Sequence, residues 1–296
     1  RHRLEKKDPT AKVSEVVEPI VYYLDRGTPE PVASALIEGG NWWAQAFEAA
    51  GFKNAFRVEL APEGLDLLDV RYNVIQWIHR STRGWSYGSS IRDPRTGEIL
   101  KGQVSLGSLR VRQDYLISQG LIQPFEEGKP VDPRMMELAL TRLKQLSAHE
   151  IGHTIGLAHS YATSANERSS VMDYPHPVIT ENEKGEIDFG NAYDLKIGEW
   201  DKLAITYGYG QPTANQSEKD FLEKTLQKYT TSKIDILQPA NREFVNEEIQ
   251  KYISTHSRNF IPIGICSIIC VYYIFYSHFS MKNTFVPIKF KISIEI

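Results

Sequence analysis

The run His149-Glu150-Ile151-Gly152-His153-Thr154-Ile155-Gly156-Leu157-Ala158-His159 constrains this 296-residue chain more than any other feature. On a helix, His149 and His153 stand i, i+4, so their imidazoles leave one face about 40° apart. Glu150 lies within roughly 100° of both and faces the same groove. A helix continued through Gly156 would carry His159 about 120° around from His153 and about 9 Å along the axis. A left-handed glycine at 156 ends the helix instead and lets His159 fold back as a third ligand. Three neutral imidazoles on Zn²⁺ keep a fourth position open for water, which marks a catalytic rather than a structural site. The Glu150 carboxylate then reaches that water and not the metal. Histidines at the first two positions alone recur in unrelated helices. Gly156 and His159 at fixed spacing make a coincidental trio a poor account of this run.

The surrounding sequence frames that helix. Asp132 is a good N-cap, Pro133 suits the first helical position, and Met136, Ala139, Leu140, Leu143 and Leu146 follow at helical spacing into the motif. Upstream, residues 19–24 predict a strand, 31–50 a helix stopped by Gly51, and 55–60, 72–79 and 103–106 further strands. Gly39 and Gly40 weaken the centre of the first helix, and Asp93-Pro94-Arg95-Thr96-Gly97 marks a turn before the last strand. Residues 198–207 predict another helix, ended by Gly208 to Pro212. This order gives an α+β fold: a mixed sheet carrying two long helices, the active-site helix ending at a glycine turn, then a small irregular C-terminal part. The compact domain spans 1–212, and 213–258 is a polar helical extension. Residues 259–296 form an apolar tail whose 260–279 segment has the length of a membrane span. Pro262, Gly264 and indecisive flanking charges argue against a span, and a non-native extension is the better account of its Ile, Phe and Tyr content.

Net charge is −3, so a nucleic-acid partner held by phosphate contacts is excluded. Both cysteines, Cys266 and Cys270, lie in the tail, which excludes a disulfide framework and thiolate metal ligation in the main body. The compartment stays open on that count, and the chain shows no signal peptide. Trp42, Trp43, Trp77 and Trp85 are expected to fill the core, and His79 to lie at the surface. His176, between two prolines, is a weak candidate for the cleft border. Glu181, Glu183, Glu186, Asp188 and Asp194 are weighed as a Ca²⁺ site, but EF-hand spacing is absent and a solvated loop is the better reading.

The histidines and glycine of the motif resemble those of the metzincin metalloproteases, and Ser170-Val171-Met172-Asp173-Tyr174-Pro175 is similar to their methionine turn. More narrowly, residues 1–210 resemble the EcxA-type zinc-binding domain of large bacterial metalloproteases, through Tyr22 to Gly27, Asn41-Trp42-Trp43, Asn73 to Trp77, Ser108 to Arg112 and Gly198 to Asp201. The resemblance implies a zinc endopeptidase with His149, His153 and His159 as ligands. It makes Glu150 the general base that takes a proton from zinc-bound water and passes it to the leaving amine. Met172 would support the ligands, and Tyr174 would either approach the metal and the oxyanion or pack beside Pro175. An extended polypeptide would add as a strand to residues 102–107. The resemblance favours a secreted or cell-envelope location. Two other readings remain at this level: hydrolysis of a non-protein amide, and a binding module that has kept the fold without catalysis.

Overall fold

A computed structural model describes residues 1–81, 85–122, 128, 130–160, 163, 169–174, 177–213 and 215–231. The tail 259–296 and His176 lie outside these described residues. The elements run β1 (Ser14–Glu15), β2 (Ile20–Leu24), α1 (Val32–Asn41), α2 (Trp43–Ala49), β3 (Phe52–Lys53), β4 (Phe56–Leu60), β5 (Asn73–Ile78), β6 (Tyr87–Arg92), β7 (Ile99–Gly107), α3 (Leu109–Ile122) and α4 (Arg134–Thr154). The hairpin β8 (Thr180–Glu181) and β9 (Ile187–Asp188) follows, then α5 (Glu199–Tyr209) and α6 (Glu218–Thr231). Among the described residues no helix is long and apolar enough to cross a membrane.

The main sheet has the order β4-β2-β5-β7-β6. Its first four strands are parallel and β6 runs antiparallel to β7, which is the mixed sheet of an α+β fold. Tyr22, Leu24, Val74, Ile75, Val104 and Leu106 are buried along it, as parallel strands covered by helices require. Two asparagines tie the layers. Asn41 at the end of α1 accepts from Val58 N–H and donates to Val58 O. Asn73 donates to Val21 O and accepts from Gly102 N–H, linking three neighbouring strands.

Three expectations change in the folded chain. The helix predicted over 31–50 breaks at Trp42 into α1 and α2. Gly39 and Gly40 are not its weak point but its contact with α4: a Cβ on Gly39 would sit 2.0 Å from Lys144 O, and one on Gly40 2.8 Å from Ile151. The 102–107 strand is not a sheet edge, since β7 is flanked by β5 and β6, and the edge belongs to β6. Finally, Trp85 is 71% exposed beside that edge, whereas Trp42, Trp43 and Trp77 are buried as expected.

Candidate metal centre

Helix α4 starts as its sequence requires. The Asp132 carboxylate accepts from Arg134 N–H at 2.9 Å, satisfying a first-turn donor. Its last turns are clamped between α2 and the sheet. Trp43 Nε1 donates to Ala148 O at 2.8 Å, and Tyr22 and Thr154 hydroxyls meet at 2.7 Å. The helix ends in a Schellman turn: Leu157 N–H bonds Gly152 O at 2.9 Å and Gly156 N–H bonds His153 O at 3.2 Å. Gly156 has φ +107, a backbone a side chain would strain. Tyr209 hydroxyl donates to Ile155 O at 2.8 Å and holds the turn from below.

The turn brings His159 back onto the helix face. Nε2 of His153 lies 3.2 Å from Nε2 of His149 and 3.0 Å from Nε2 of His159. The contact between His149 and His153 is not a hydrogen bond. Nδ1 of His149 donates to Val171 O at 2.8 Å, and Nδ1 of His153 to Leu157 O at 2.9 Å. A neutral imidazole that donates through Nδ1 offers only a lone pair at Nε2. The three nitrogens lie within 4.8 Å of one another, near the spacing of about 3.3 Å that tetrahedral Zn–N bonds of about 2.0–2.1 Å impose. The donor set fits Zn²⁺. Among the described residues this trio is the group placed to hold a metal. Glu181, Glu183, Glu186 and Asp188 are instead spread along the exposed β8–β9 hairpin, a small structured element where a loop was expected.

Burial keeps the histidines neutral. Desolvation lowers His149 to about 3 and His159 to about 4, and His153 moves the same way. A folded-state pKa below the unfolded 6.5 adds stability that is complete above pH 6.5 and is lost as pH falls toward these values. The histidines' share of the stability of the metal-free chain should therefore be lost between about pH 6.5 and pH 4, against the opposite contribution of the raised carboxyls Glu150 and Asp201. Urea unfolding of the parent and of His149→Gln across that range would show it as a stability difference that changes with pH, and a constant difference would contradict a buried neutral His149.

Glu150 is 6% exposed, and burial raises its carboxyl to about 7 against the pull of Arg142 and of Gly88 N–H. Gly88 is required there, since a Cβ would stand 2.0 Å from Glu150 O. Thus β6 passes directly over the start of the motif. Tyr174 is half-exposed, with its ring centroid 4.6 Å from that of His159 and 5.3 Å from that of His149. It sits over the histidines. Met172 is fully buried beneath them, and a Cβ on Gly152 would meet its sulfur at 2.1 Å. His79 is exposed and bonds Ser108 at 3.0 Å, away from this group.

Sequence reading missed the support under the site. Asp201, in the first turn of α5, is fully buried and accepts from Ser170 hydroxyl at 2.6 Å, Val171 N–H at 2.9 Å and Gly198 N–H at 3.0 Å. Ser170 Oγ in turn accepts from Met172 N–H at 2.9 Å. The residue whose carbonyl orients His149 is thereby fixed by a carboxylate 30 positions away in sequence. Gly198 to Asp201 carries part of the family resemblance, but by itself an acidic residue at the third position of a glycine-started helix reads as a local cap.

Neither a curated protein nor a solved structure matches the chain. Residues 131–238 match a family model described as Met-zincin. The match takes in α4, the three converging histidines, the buried Met172 and the Asp201 support. The part of the chain that carries the metal centre is thus the part similar to the Met-zincin family.

Proposed function

We propose that this chain is a zinc-dependent endopeptidase of the EcxA-type metzincins. The observation that carries the reading is the convergence of three imidazoles beside a buried carboxyl that no ion pair neutralises among the described residues. His149, His153 and His159 would hold the metal. Zn²⁺ supplies a Lewis acid that polarises the scissile carbonyl and makes water nucleophilic near neutral pH. Glu150 accepts the proton of the attacking water and delivers it to the leaving amine, a task suited to a carboxyl raised toward 7. Tyr174, over the histidines with a half-exposed ring, donates a hydrogen bond from its hydroxyl to the developing oxyanion and keeps its proton. An extended polypeptide pairs with the outer edge of β6, which passes over Glu150 and has a sheet partner on one side only.

The test is cleavage of casein by the full chain loaded with zinc. Fragments should appear, should vanish after treatment with a chelator and should return with added zinc. A folded, zinc-loaded chain that leaves casein intact but releases an acyl or peptidoglycan amide would replace this reading with a non-protein amidase. Failure on both would favour a binding module.

A further inference from the structure

Arg142 stands on α4 seven residues before His149. Seven residues bring a helix back to within about 20° of the same face, two turns away. The guanidinium donates to Gln145 Oε1, one turn nearer the histidines, so the side chain is drawn along the groove toward the site. It lies 5.4 Å from the centroid of the Tyr193 ring. Gln145 is itself bonded to the frame of the metal centre, so the guanidinium stands one side chain away from it.

A guanidinium has five N–H donors and stays charged in proteins. Among the described residues, Arg142 has one side-chain acceptor, Gln145, and no carboxylate in ion-pair range. The acids whose charge it feels are committed elsewhere. Asp114 is paired with Arg110 at 3.1 Å, and Glu150 serves the proton transfer. A half-buried cation with donors to spare has as its natural complement a carboxylate taken through two parallel N–H bonds.

We propose that Arg142 is a specificity-determining residue of this site, binding the carboxylate of an Asp or Glu side chain next to the scissile bond, so that the enzyme selects acidic segments of its polypeptide substrates. Tyr193 holds the plane of the guanidinium, and Gln145 sets its reach. Gln145 also donates to Val171 O at 3.3 Å, the same carbonyl that orients His149, so the recognition group is built on the frame of the metal centre.

The inference rests on the endopeptidase reading, and one experiment separates the two. The full chain, loaded with zinc, is given a peptide mixture and the cut sites are mapped by mass spectrometry. Matched peptides then carry Glu, Gln or Lys at the selected position, each with a free or an amidated C-terminus. Glu should exceed Gln in kcat/KM by about 10- to 100-fold, the scale of a charge-assisted hydrogen-bonded contact. Amidation should leave that ratio unchanged. Arg142→Gln should bring the ratio near one, Arg142→Lys should keep part of it, and Arg142→Glu should turn the preference to Lys. Cleavage by the unaltered chain with no acidic preference overturns the proposal alone, without need of any variant. So does a preference that survives in Arg142→Gln, or one that disappears on amidation and thus belongs to a chain-terminal carboxylate. Absence of cleavage anywhere overturns the endopeptidase reading and this inference with it.

Discussion

Glu150→Ala is expected to lower peptide hydrolysis by about 10²–10⁴-fold, the usual contribution of a positioned general base, while the chain keeps its fold and binds zinc as before. The carboxyl is outside the histidine cluster, so its loss removes no ligand. Alanine is the best helix former, and the burial that raises Glu150 to about 7 shows that ionising this carboxyl in place is unfavourable to the fold. Glu150→Gln is the sharper control. It preserves an acceptor for Gly88 N–H and the shape of the side chain, and removes only the ability to take a proton. Both variants should bind one zinc by elemental analysis and melt close to the parent. Retention of more than about a tenth of the parent kcat by either would remove Glu150 from the role of base.

The second large effect is on stability. Asp201→Ala orphans Val171 N–H, Gly198 N–H and the Ser170 hydroxyl in a buried place, at an expected cost of about 3–5 kcal/mol. For a chain of this size that is a fall in Tm on the order of 10 °C. Zinc affinity should fall by about 10–100-fold, because the Val171 carbonyl that orients His149 loses its anchor. Burial raises the Asp201 carboxyl from 3.8 to about 6, against three donors that pull it down. The folded chain then holds that proton more tightly than the unfolded one. Its contribution is complete below pH 4 and is lost as pH rises through 6, a change of about 3 kcal/mol. The histidines act in the opposite sense, so the informative quantity is the stability of the parent minus that of Asp201→Asn. That difference should shrink from pH 4 to pH 7, and a constant difference would mean that Asp201 is ionised throughout.

The parts of the site legible in sequence are those made within a few turns of one helix. The spacing of His149 and His153, the left-handed Gly156 and the return of His159 follow from helix geometry and a Schellman turn, both local. Strands β2, β4 and β5 were legible for a similar reason: their apolar residues face a buried layer, and the pattern is written in consecutive positions. By contrast β6 reads Tyr-Gly-Ser-Ser-Ile-Arg, with neither face buried, so no apolar alternation announces it. Helix α3 was hidden because its apolar residues are spread around the axis, leaving Leu116 and Ile117 exposed.

By itself, then, the sequence determined a metal-binding helix, its stop and the chemistry of its ligands, because helical geometry relates residues four to ten positions apart. Only the tertiary structure decided which strand passes over Glu150, that Asp201 holds Ser170 and Val171, and that Arg142 sits between Gln145 and Tyr193. Those relations join residues from different elements. They depend on sheet order, on burial that shifts a carboxyl, and on glycines whose missing Cβ admits a neighbouring backbone, none of which leaves a periodic trace along the chain.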